Sequence, residues 1–289
     1  MTYEDIHPNW AREPAFITEG FSLEITAKDV DSMREAAPRL PQDTPIAVTF
    51  LPGETLQARV AAAREVRALG FEPMPHFSAR RLESEDEFKS MLEQMAGEPD
   101  VKRCFAIAGD PPKPEGPFSQ TSDLIETGLF EAYGITAIGI AGHPQGHPNM
   151  TAEECFAVLE KKCAMIHGRG MKPLIVTQFG FDPEAFMQWL VALRGRGIDA
   201  PVRIGVPGPA NIKSLLRFAA RCGVEASASV MSKYGISLGK LIGVAGPDKI
   251  VDAFASGLNM EHHPVRLHFY PFGGLARTVD WLEKYNAEH

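Results

Sequence analysis

Residues 46–77, with the sequence IAVTFLPGETLQARVAAAREVRALGFEPMPHF, contain one complete strand–helix–strand unit. The apolar runs Ile46–Phe50 and Pro73–Phe77 have the length and composition of buried strands. Between them, residues 56–69 place apolar side chains at helical spacing, and Gly70 marks the end of the helix. A strand, a helix and a second strand in this order predict two parallel strands of one sheet, joined by a crossover helix.

The same unit recurs along the whole chain. The apolar runs that indicate strands are Ser22–Thr26, Ile46–Phe50, Pro73–Phe77, Arg103–Asp110, Ile135–Gly142, Lys172–Phe179, Val202–Pro207 and Val265–Tyr270. Eight strand–helix units predict a single (β/α)8 TIM barrel over residues 1–289, because such a barrel takes roughly 250 residues. We expect the segment before the first strand to close the bottom of the barrel. The long stretch between the seventh and eighth strands predicts an extra helical segment around residues 232–243.

Composition limits the class of protein. Hydrophobic residues make up 44% and charged residues 23% of the chain, as in ordinary globular proteins. The formal net charge of −8 disfavours a general nucleic-acid binder but leaves room for a local basic pocket that binds an anionic small molecule. We therefore expect a small-molecule ligand and no nucleic-acid partner.

Cysteine usage and hydropathy predict a cytoplasmic location. Cys104, Cys155, Cys163 and Cys222 form no CxxC pair, which favours reduced thiols. Residues 1–14 lack the apolar core of a signal peptide. No run reaches the roughly 18 apolar residues of a membrane span, so we expect no membrane partner.

Most of the predicted strands end on a chemically useful side chain. The active site of a (β/α)8 barrel is built at the carboxyl-terminal ends of its strands. The residues at these ends are Glu24, Thr49, His76, Asp110, His143, Gln178 and Tyr270. This set predicts a working site at one face of the barrel.

Glu24 lies in an otherwise apolar strand. A carboxylate buried there must be paired, hydrogen-bonded or protonated, because burial of a bare charge is costly. Burial favours the protonated form, which suits a general acid near neutral pH. A structural ion pair with a Lys or Arg inside the barrel is the alternative.

Two loops could present polar groups to a ligand. In the first, Gly109 allows close approach to the backbone and Asp110 projects at the site face, although a simple Asp-Pro turn explains the same residues. In the second, His143 and His147 are four residues apart, but the prolines between and after them prevent a regular helix. We therefore expect no metal site, and favour imidazoles that bind a polar ligand over histidines without a role.

Other motifs are weaker or absent. Lys161 and Lys162 could neutralise a diphosphate, or they could be solvated surface lysines. Residues 261–263, Glu-His-His, precede the eighth strand and are expected at the surface of the barrel bottom. The chain has no GxGxxG after a strand, no GxxxxGK[ST] and no GxSxG, which disfavours a Rossmann domain, a P-loop and a nucleophile elbow.

Taken together and in order, the motifs resemble the methylenetetrahydrofolate reductase family. The matching pieces are SLEIT at 22–26, VTF at 48–50, PHF at 75–77, GDPP at 109–112, SDL at 122–124, HPQGHP at 143–148, LEKK at 159–162, TQFGFD at 177–182, PG at 207–208, NIKSLLRFA at 211–219 and HFY at 268–270. Each piece is weak alone, but eleven in the right order over most of the chain are specific.

The resemblance implies an oxidoreductase of one-carbon metabolism. It would interconvert 5,10-methylenetetrahydrofolate and 5-methyltetrahydrofolate through bound FAD, with NADH or NADPH as electron donor. Glu24 matches the family's catalytic acid, which protonates the folate so that its ring opens to an iminium that accepts hydride from reduced flavin. Asp110 matches the catalytic aspartate beside the flavin and pterin. Gln178 and Phe218 match residues that contact folate and nicotinamide.

The resemblance also implies a set of flavin contacts. These are Thr49, His76, Gly109, Asp110, Ser122, His147, Lys161, Lys162 and Tyr270. Barrels of this family commonly form homo-oligomers, although the sequence shows no obvious interface stripe. The chain departs from the family pattern at Ala108, Gln120, Thr121 and His143, which leaves the strength of FAD binding open.

Four other readings remain open at this stage. One is a flavin-independent reductase of the same fold, and another is a pterin-binding methyltransferase-type barrel without redox chemistry. A third is a metal-dependent hydrolase built on His76, His143 and His147, which would need three protein ligands. The fourth is a non-catalytic folate-binding relative, against which Glu24 argues, because a binder has little reason to keep a buried acid.

Overall fold

Eight parallel strands form a closed barrel in a computed structural model of the chain, which describes residues 10, 13–224, 226, 231, 232, 234 and 243–289. The barrel strands are β1 Ser22–Ile25, β2 Pro45–Val48, β3 Glu72–Ser78, β4 Arg103–Ile107, β5 Ala137–Gly142, β6 Lys172–Phe179, β7 Val202–Pro207 and β10 Val265–Tyr270. Their order around the barrel follows the chain, and β10 pairs with β1 to close it. The predicted (β/α)8 barrel is confirmed.

Helices follow the strands and cover the outside of the barrel. They are Val30–Ala36, Leu56–Ala68, Glu85–Ala96, Thr121–Glu126, Leu129–Ala132, Ala152–Gly168, Pro183–Gly195, Ile212–Cys222, Asp248–Gly257 and Leu275–Glu288. Thr151 begins one of them with a capping box: its Oγ1 accepts from the Glu154 N–H at 3.2 Å, and the Glu154 carboxylate accepts from the Thr151 N–H at 2.7 Å. None of the helices in the described part of the chain has both the length and the apolar character needed to cross a membrane.

The stretch between β7 and β10 carries a feature that the sequence did not predict. Two short strands, β8 Ala210–Asn211 and β9 Val244–Ala245, pair antiparallel and form a separate small sheet. The helical segment predicted around residues 232–243 lies almost entirely outside the described residues. Within it, Ser232 and Tyr234 are described and are helical.

Trp10 closes the bottom of the barrel, as expected for the N-terminal segment. It is 7% exposed and packs against inward-facing apolar residues that include Phe105 and Leu174. The guanidinium groups of Arg203 and Arg266 lie 5.4 and 4.9 Å from the centre of its ring. Both arginines are near the amino-terminal ends of their strands, so Trp10 and these cations fill the end opposite the predicted site.

The expected surface position of residues 261–263 is wrong for His262. His262 is 6% exposed, and its Nδ1 accepts a hydrogen bond from the Asn259 N–H at 3.1 Å. Its carbonyl oxygen also accepts from Arg194 Nε at 3.2 Å. The imidazole therefore closes a turn before β10. Glu261 is exposed and His263 is half-buried.

Candidate active site

Glu24 lies at the carboxyl-terminal mouth of the barrel between two histidines. Residues two apart on a strand share a face, so Ser22 and Glu24 both face the barrel interior. The Glu24 side chain is 20% exposed, and its Oε2 lies 3.5 Å from His76 Nε2 and 3.8 Å from His268 Nε2. The two imidazoles, from β3 and β10, flank the same carboxylate oxygen.

Both histidines are held neutral. Burial lowers the pKa of His76 to about 4; the Glu24 charge opposes this shift, and His268 and Arg59 add to it. Burial also lowers the pKa of His268, again against the Glu24 charge. Among the described residues, no Lys or Arg nitrogen lies within 4.0 Å of the Glu24 carboxylate. The structural ion pair considered from the sequence is therefore not formed by these residues.

Closure of the barrel places a serine behind one of these histidines. Ser22 and His268 are direct register partners on β1 and β10. Ser22 Oγ lies 2.8 Å from His268 Nδ1, and both residues are at most 3% exposed. The result is a continuous arrangement of Ser22, His268 and Glu24 inside the barrel.

A row of aromatic rings connects this centre to the helix Ile212–Cys222. The Tyr270 hydroxyl donates to the Thr177 carbonyl at 3.0 Å, and its ring meets His268 edge-on at 4.7 Å. Tyr270 stacks on Phe272 at 5.7 Å, and Phe272 stacks on Phe218 at 4.2 Å. Burial raises the pKa of Tyr270, so its phenol is neutral. The row brings the predicted Phe218 and Tyr270 to one side of the mouth.

Gln178 and Thr49 occupy the predicted strand ends. Gln178 is half-buried near the end of β6, and its Oε1 accepts from the Phe179 N–H at 3.2 Å. Thr49 follows β2 and donates its N–H to the Ile25 carbonyl at 2.8 Å. This bond holds the end of β2 against the strand that carries Glu24.

In the loop after β4, Gly109 is closely packed against the end of β3, whereas the Asp110 side chain is exposed to solvent. Gly109 has a φ of +95°, and an added Cβ would overlap Ser78 Oγ, so the tight approach between the β3 and β4 loops requires glycine. The Asp110 side chain is 87% exposed, and its nearest cation is Arg81, whose Nη2 lies 4.0 Å away. Asp110 thus lies at the solvent-facing edge of the site.

A second cluster follows β5 and contains His143, His147 and Lys162. The two imidazole rings are edge-on with their centres 4.8 Å apart. Burial lowers the pKa of His143 to about 4, with His147 and Lys162 adding to the shift, and burial also lowers the pKa of His147. Burial lowers the pKa of Lys162 as well. No described carboxylate forms an ion pair with this lysine, so the cluster presents a half-buried cation beside two neutral imidazoles.

Two predicted flavin contacts are not gathered with either cluster. Lys161 is exposed on the helix Ala152–Gly168, and Ser122 is 3% exposed in the first turn of Thr121–Glu126. Nor do His76, His143 and His147 come together: in the described part of the chain, no three His, Cys, Asp or Glu residues are grouped so as to hold a metal ion.

A small polar pocket of about 90 Å³ adjoins the ends of β2 and β3. Arg59 lines it and is 5% exposed; its guanidinium lies 4.1 Å from the centre of the Phe50 ring. Among the described residues, Arg59 Nη1 hydrogen-bonds only to the Met91 sulfur, at 3.8 Å, and its Nε has no hydrogen-bond partner. Burial lowers the pKa of Arg59 to about 10, against the charges of Glu54 and Glu87. Ser78 Oγ, which lines the same pocket, also has no hydrogen-bond partner in the described part of the chain.

Sequence reasoning missed Ser22 and His268 as members of the site. Both lie two residues before a predicted site residue on the same strand, Ser22 before Glu24 and His268 before Tyr270. The period-2 alternation of a strand was therefore the available signal.

Comparison with known proteins gives the family. The family model described as methylenetetrahydrofolate reductase matches residues 9–253. Methylenetetrahydrofolate reductase 2 of Saccharomyces cerevisiae is 31% identical over 124 residues, 40% of this chain and 20% of the yeast protein. Methylenetetrahydrofolate reductase (NADH) 1 of Arabidopsis thaliana is 29% identical over 137 residues, 42% of this chain and 23% of the plant protein. The 5,10-methylenetetrahydrofolate reductase of Pectobacterium carotovorum is 26% identical over 158 residues, 54% of this chain and 50% of that protein.

Solved structures share the fold. A protein from Clostridium thermocellum that binds two copies of 5-methyl-5,6,7,8-tetrahydrofolic acid has a TM-score of 0.63 at 12% identity, over 94% of this chain and 97% of that chain. Dihydropteroate synthase from Thermus thermophilus has a TM-score of 0.51 at 15% identity, over 93% of each chain. The aligned segments of the three sequence relatives span half or less of those relatives' own length. Because the family model matches most of the chain, the chain belongs to the methylenetetrahydrofolate reductase family.

Proposed function

We propose that this barrel interconverts 5,10-methylenetetrahydrofolate and 5-methyltetrahydrofolate, with FAD as the bound cofactor and NADH or NADPH as electron donor. The observation that carries the proposal is Glu24, an acid at the barrel mouth that contacts two neutral imidazoles and no described Lys or Arg. The names of its relatives and the folate bound by the C. thermocellum protein support the substrate class.

Glu24 would act as a general acid. Both histidines contact its Oε2, which leaves Oε1 as the oxygen that transfers a proton to a ring nitrogen of the bridged folate. Proton transfer to that nitrogen weakens its bond to the bridging carbon, so that the carbon can accept hydride. Gln178 and the aromatic row that ends at Phe218 would hold the folate, and Asp110 would orient the pterin from the edge of the site.

The residues at the mouth fit FAD. The half-buried Lys162, without a described carboxylate partner, suits a phosphate group, because a buried cation is stabilised by an anion that it can bind. Gly109 keeps the loop after β4 free of a side chain. Other strand ends would complete the FAD contacts through Thr49, His76, His147 and Tyr270. Lys161, which is exposed, and Ser122, which is covered, lie apart from both clusters and would contact FAD less directly. When bound, FAD supplies the hydride carrier that the protein's own side chains lack.

The first experiment separates the two half-reactions. Flavin absorbance of the purified protein establishes whether FAD is bound, and anaerobic rapid mixing then follows flavin reduction by NADH and reoxidation by methylenetetrahydrofolate. We expect Glu24→Gln to abolish folate turnover and to leave flavin reduction by NADH largely intact. Glu131→Gln, which removes a carboxylate paired with Arg169 away from the mouth, is the matched control.

Each outcome has a definite meaning. Unchanged folate turnover in Glu24→Gln would remove Glu24 from the catalytic role. Turnover by a colourless protein with NADH or NADPH would select the flavin-independent reductase. Asp110→Asn is expected to weaken folate binding or to shift the flavin potential, and normal values for both would exclude Asp110 from the site.

A further inference from the structure

We propose that Ser22 and His268 are positioning residues for Glu24. Ser22 fixes His268 as the tautomer that carries its proton on Nε2, and His268 directs this N–H at Glu24 Oε2. This inference rests on the proposed role of Glu24. It concerns residues that would touch neither folate nor flavin and that act through the carboxylate.

The hydrogen-bonding capacity of Ser22 decides the tautomer. A neutral imidazole has one N–H donor and one acceptor nitrogen. If His268 Nδ1 carried the proton, Ser22 Oγ would accept it, and the Ser22 O–H would then need another acceptor in a site where Ser22 is 3% exposed. His268 Nδ1 is the single side-chain partner that the structure gives Ser22 among the described residues. An unpaired buried donor is costly, so Ser22 donates to Nδ1 and the proton resides on Nε2.

The Nε2–H of His268 then has one nearby acceptor, the Glu24 carboxylate. This nitrogen is buried and makes no hydrogen bond shorter than 3.5 Å to any described residue, and Glu24 Oε2 lies 3.8 Å away. Catalytic hydrogen bonds are often long in the ligand-free protein and tighten in the complex. His76 also approaches Oε2, but its own Nδ1 has no hydrogen-bond partner among the residues that the structure describes, so none of them fixes its tautomer. Of the two imidazoles, His268 is the one held in orientation.

Among the residues that the structure describes, the other groups around Glu24 are neutral or distant. From β3 and β10 it faces His76, His268 and Tyr270, and from the helix Ile212–Cys222 it acts on the Cys222 thiol. Arg203 influences His268 from the bottom of the barrel, and Arg59 influences His76 from the side. An N–H from His268 is therefore a fixed donor directed at Glu24 Oε2, 3.8 Å away.

Two measurements test the proposal. In ¹⁵N-histidine NMR, we expect wild-type His268 to show the Nε2–H tautomer, with its signals assigned by their loss in His268→Gln. Ser22→Ala is expected to populate the Nδ1–H tautomer and to lower turnover about tenfold. His268→Gln, whose amide can donate to the same oxygen, should retain more turnover than His268→Leu does.

Controls separate this role from a structural one. Thr44→Val removes a buried hydroxyl that donates to the Pro41 carbonyl at the other end of the barrel, and His262→Gln changes a buried histidine there. Both should leave the tautomer of His268 and the turnover unchanged. A wild-type Nδ1–H tautomer, or a Ser22→Ala protein with an unchanged tautomer or unchanged turnover, would overturn the proposal. If Ser22→Ala does not fold, the His268→Gln and His268→Leu pair decides. Absence of folate turnover in the wild-type protein would refute the proposed function. The ¹⁵N spectrum of His268 would still decide which ring nitrogen carries the proton.

Discussion

Gly109→Ala tests whether the loop after β4 is packed against the end of β3 as closely as the structure shows. The new methyl group would face two separate penalties. One is the left-handed backbone, with φ at +95°, and the other is overlap with Ser78 Oγ. The atoms next nearest to the methyl group, Ser78 Cβ at 3.5 Å and Pro111 Cδ at 3.6 Å, are at ordinary contact distance.

The two penalties have different sizes and can be separated. A left-handed conformation costs an alanine about 1–2 kcal/mol. Overpacking against a buried group costs about 1–3 kcal/mol more. We therefore expect Gly109→Ala to lower the free energy of unfolding by about 2–5 kcal/mol. Because Ser78 Oγ has no hydrogen-bond partner among the described residues, Ser78→Ala alone should change the free energy of unfolding little. In the double variant it should remove the overlap and leave only the backbone penalty.

Urea unfolding of the four proteins in this cycle measures the coupling between the two positions. The matched control is Gly146→Ala, where φ is +92° and an added Cβ meets no atom within 4 Å, so only the backbone penalty applies. The reasoning is refuted if Gly109→Ala and Gly146→Ala lose equal stability. It is also refuted if Ser78→Ala rescues none of the loss in Gly109→Ala.

Further predictions concern charge and burial. Burial lowers the pKa of His76 from about 6.5 in the unfolded chain to about 4 in the folded protein. The neutral imidazole therefore contributes about 3 kcal/mol of stability above pH 6.5, and this contribution is lost as the pH falls towards 4. In urea unfolding at pH 7 and pH 4.5, the free energy of unfolding should fall less between the two pH values in His76→Gln than in the wild type. Lys162→Met should weaken FAD binding about 10–100-fold, as measured by flavin absorbance titration, whereas Lys161→Met, at an exposed lysine, should not weaken it. Equal losses of FAD affinity in the two variants would contradict a phosphate contact at Lys162 alone. Arg59→Met removes a buried guanidinium that has no oxygen acceptor among the described residues and that the charges of Glu54 and Glu87 compensate only in part. We expect the free energy of unfolding to be unchanged or raised by about 1 kcal/mol, whereas a clear loss in urea unfolding would show that these two carboxylates compensate the charge fully.

The sequence predicted the barrel because its signals are local. The bounds predicted for β6, β7 and β10 agree with the structure, since a glycine or proline marks both ends of each run. The predicted β4 was too long: it ends at Ile107, because the left-handed Gly109 turns the chain out of the sheet. The β8–β9 pair was missed, because strands of two residues carry no periodic signal.

The positions of some candidate residues could be predicted for a different reason. Strand ends fix which residues reach the mouth, and this rule was enough to place Glu24, His76 and Tyr270 there. The contact of Ser22 with His268 depends on the register between the first and last strands, which exists only after the barrel closes. The exposure of Asp110 depends on side-chain direction after a turn, which spacing along the sequence does not specify.

The separation of the two polar clusters bears on the size of the ligand. Glu24 is on β1, and the group of His143, His147 and Lys162 follows β5, four strands away in a ring of eight. The acid and the half-buried cation are thus on opposite sides of the barrel mouth. A small metabolite would reach one of them, whereas a dinucleotide that lies across the mouth could place its phosphates near Lys162 and its ring system beside a folate at Glu24. Two neutral imidazoles at each cluster limit the positive charge on both sides, which leaves the Lys162 ammonium as the group best suited to attract an anion to the β5 side.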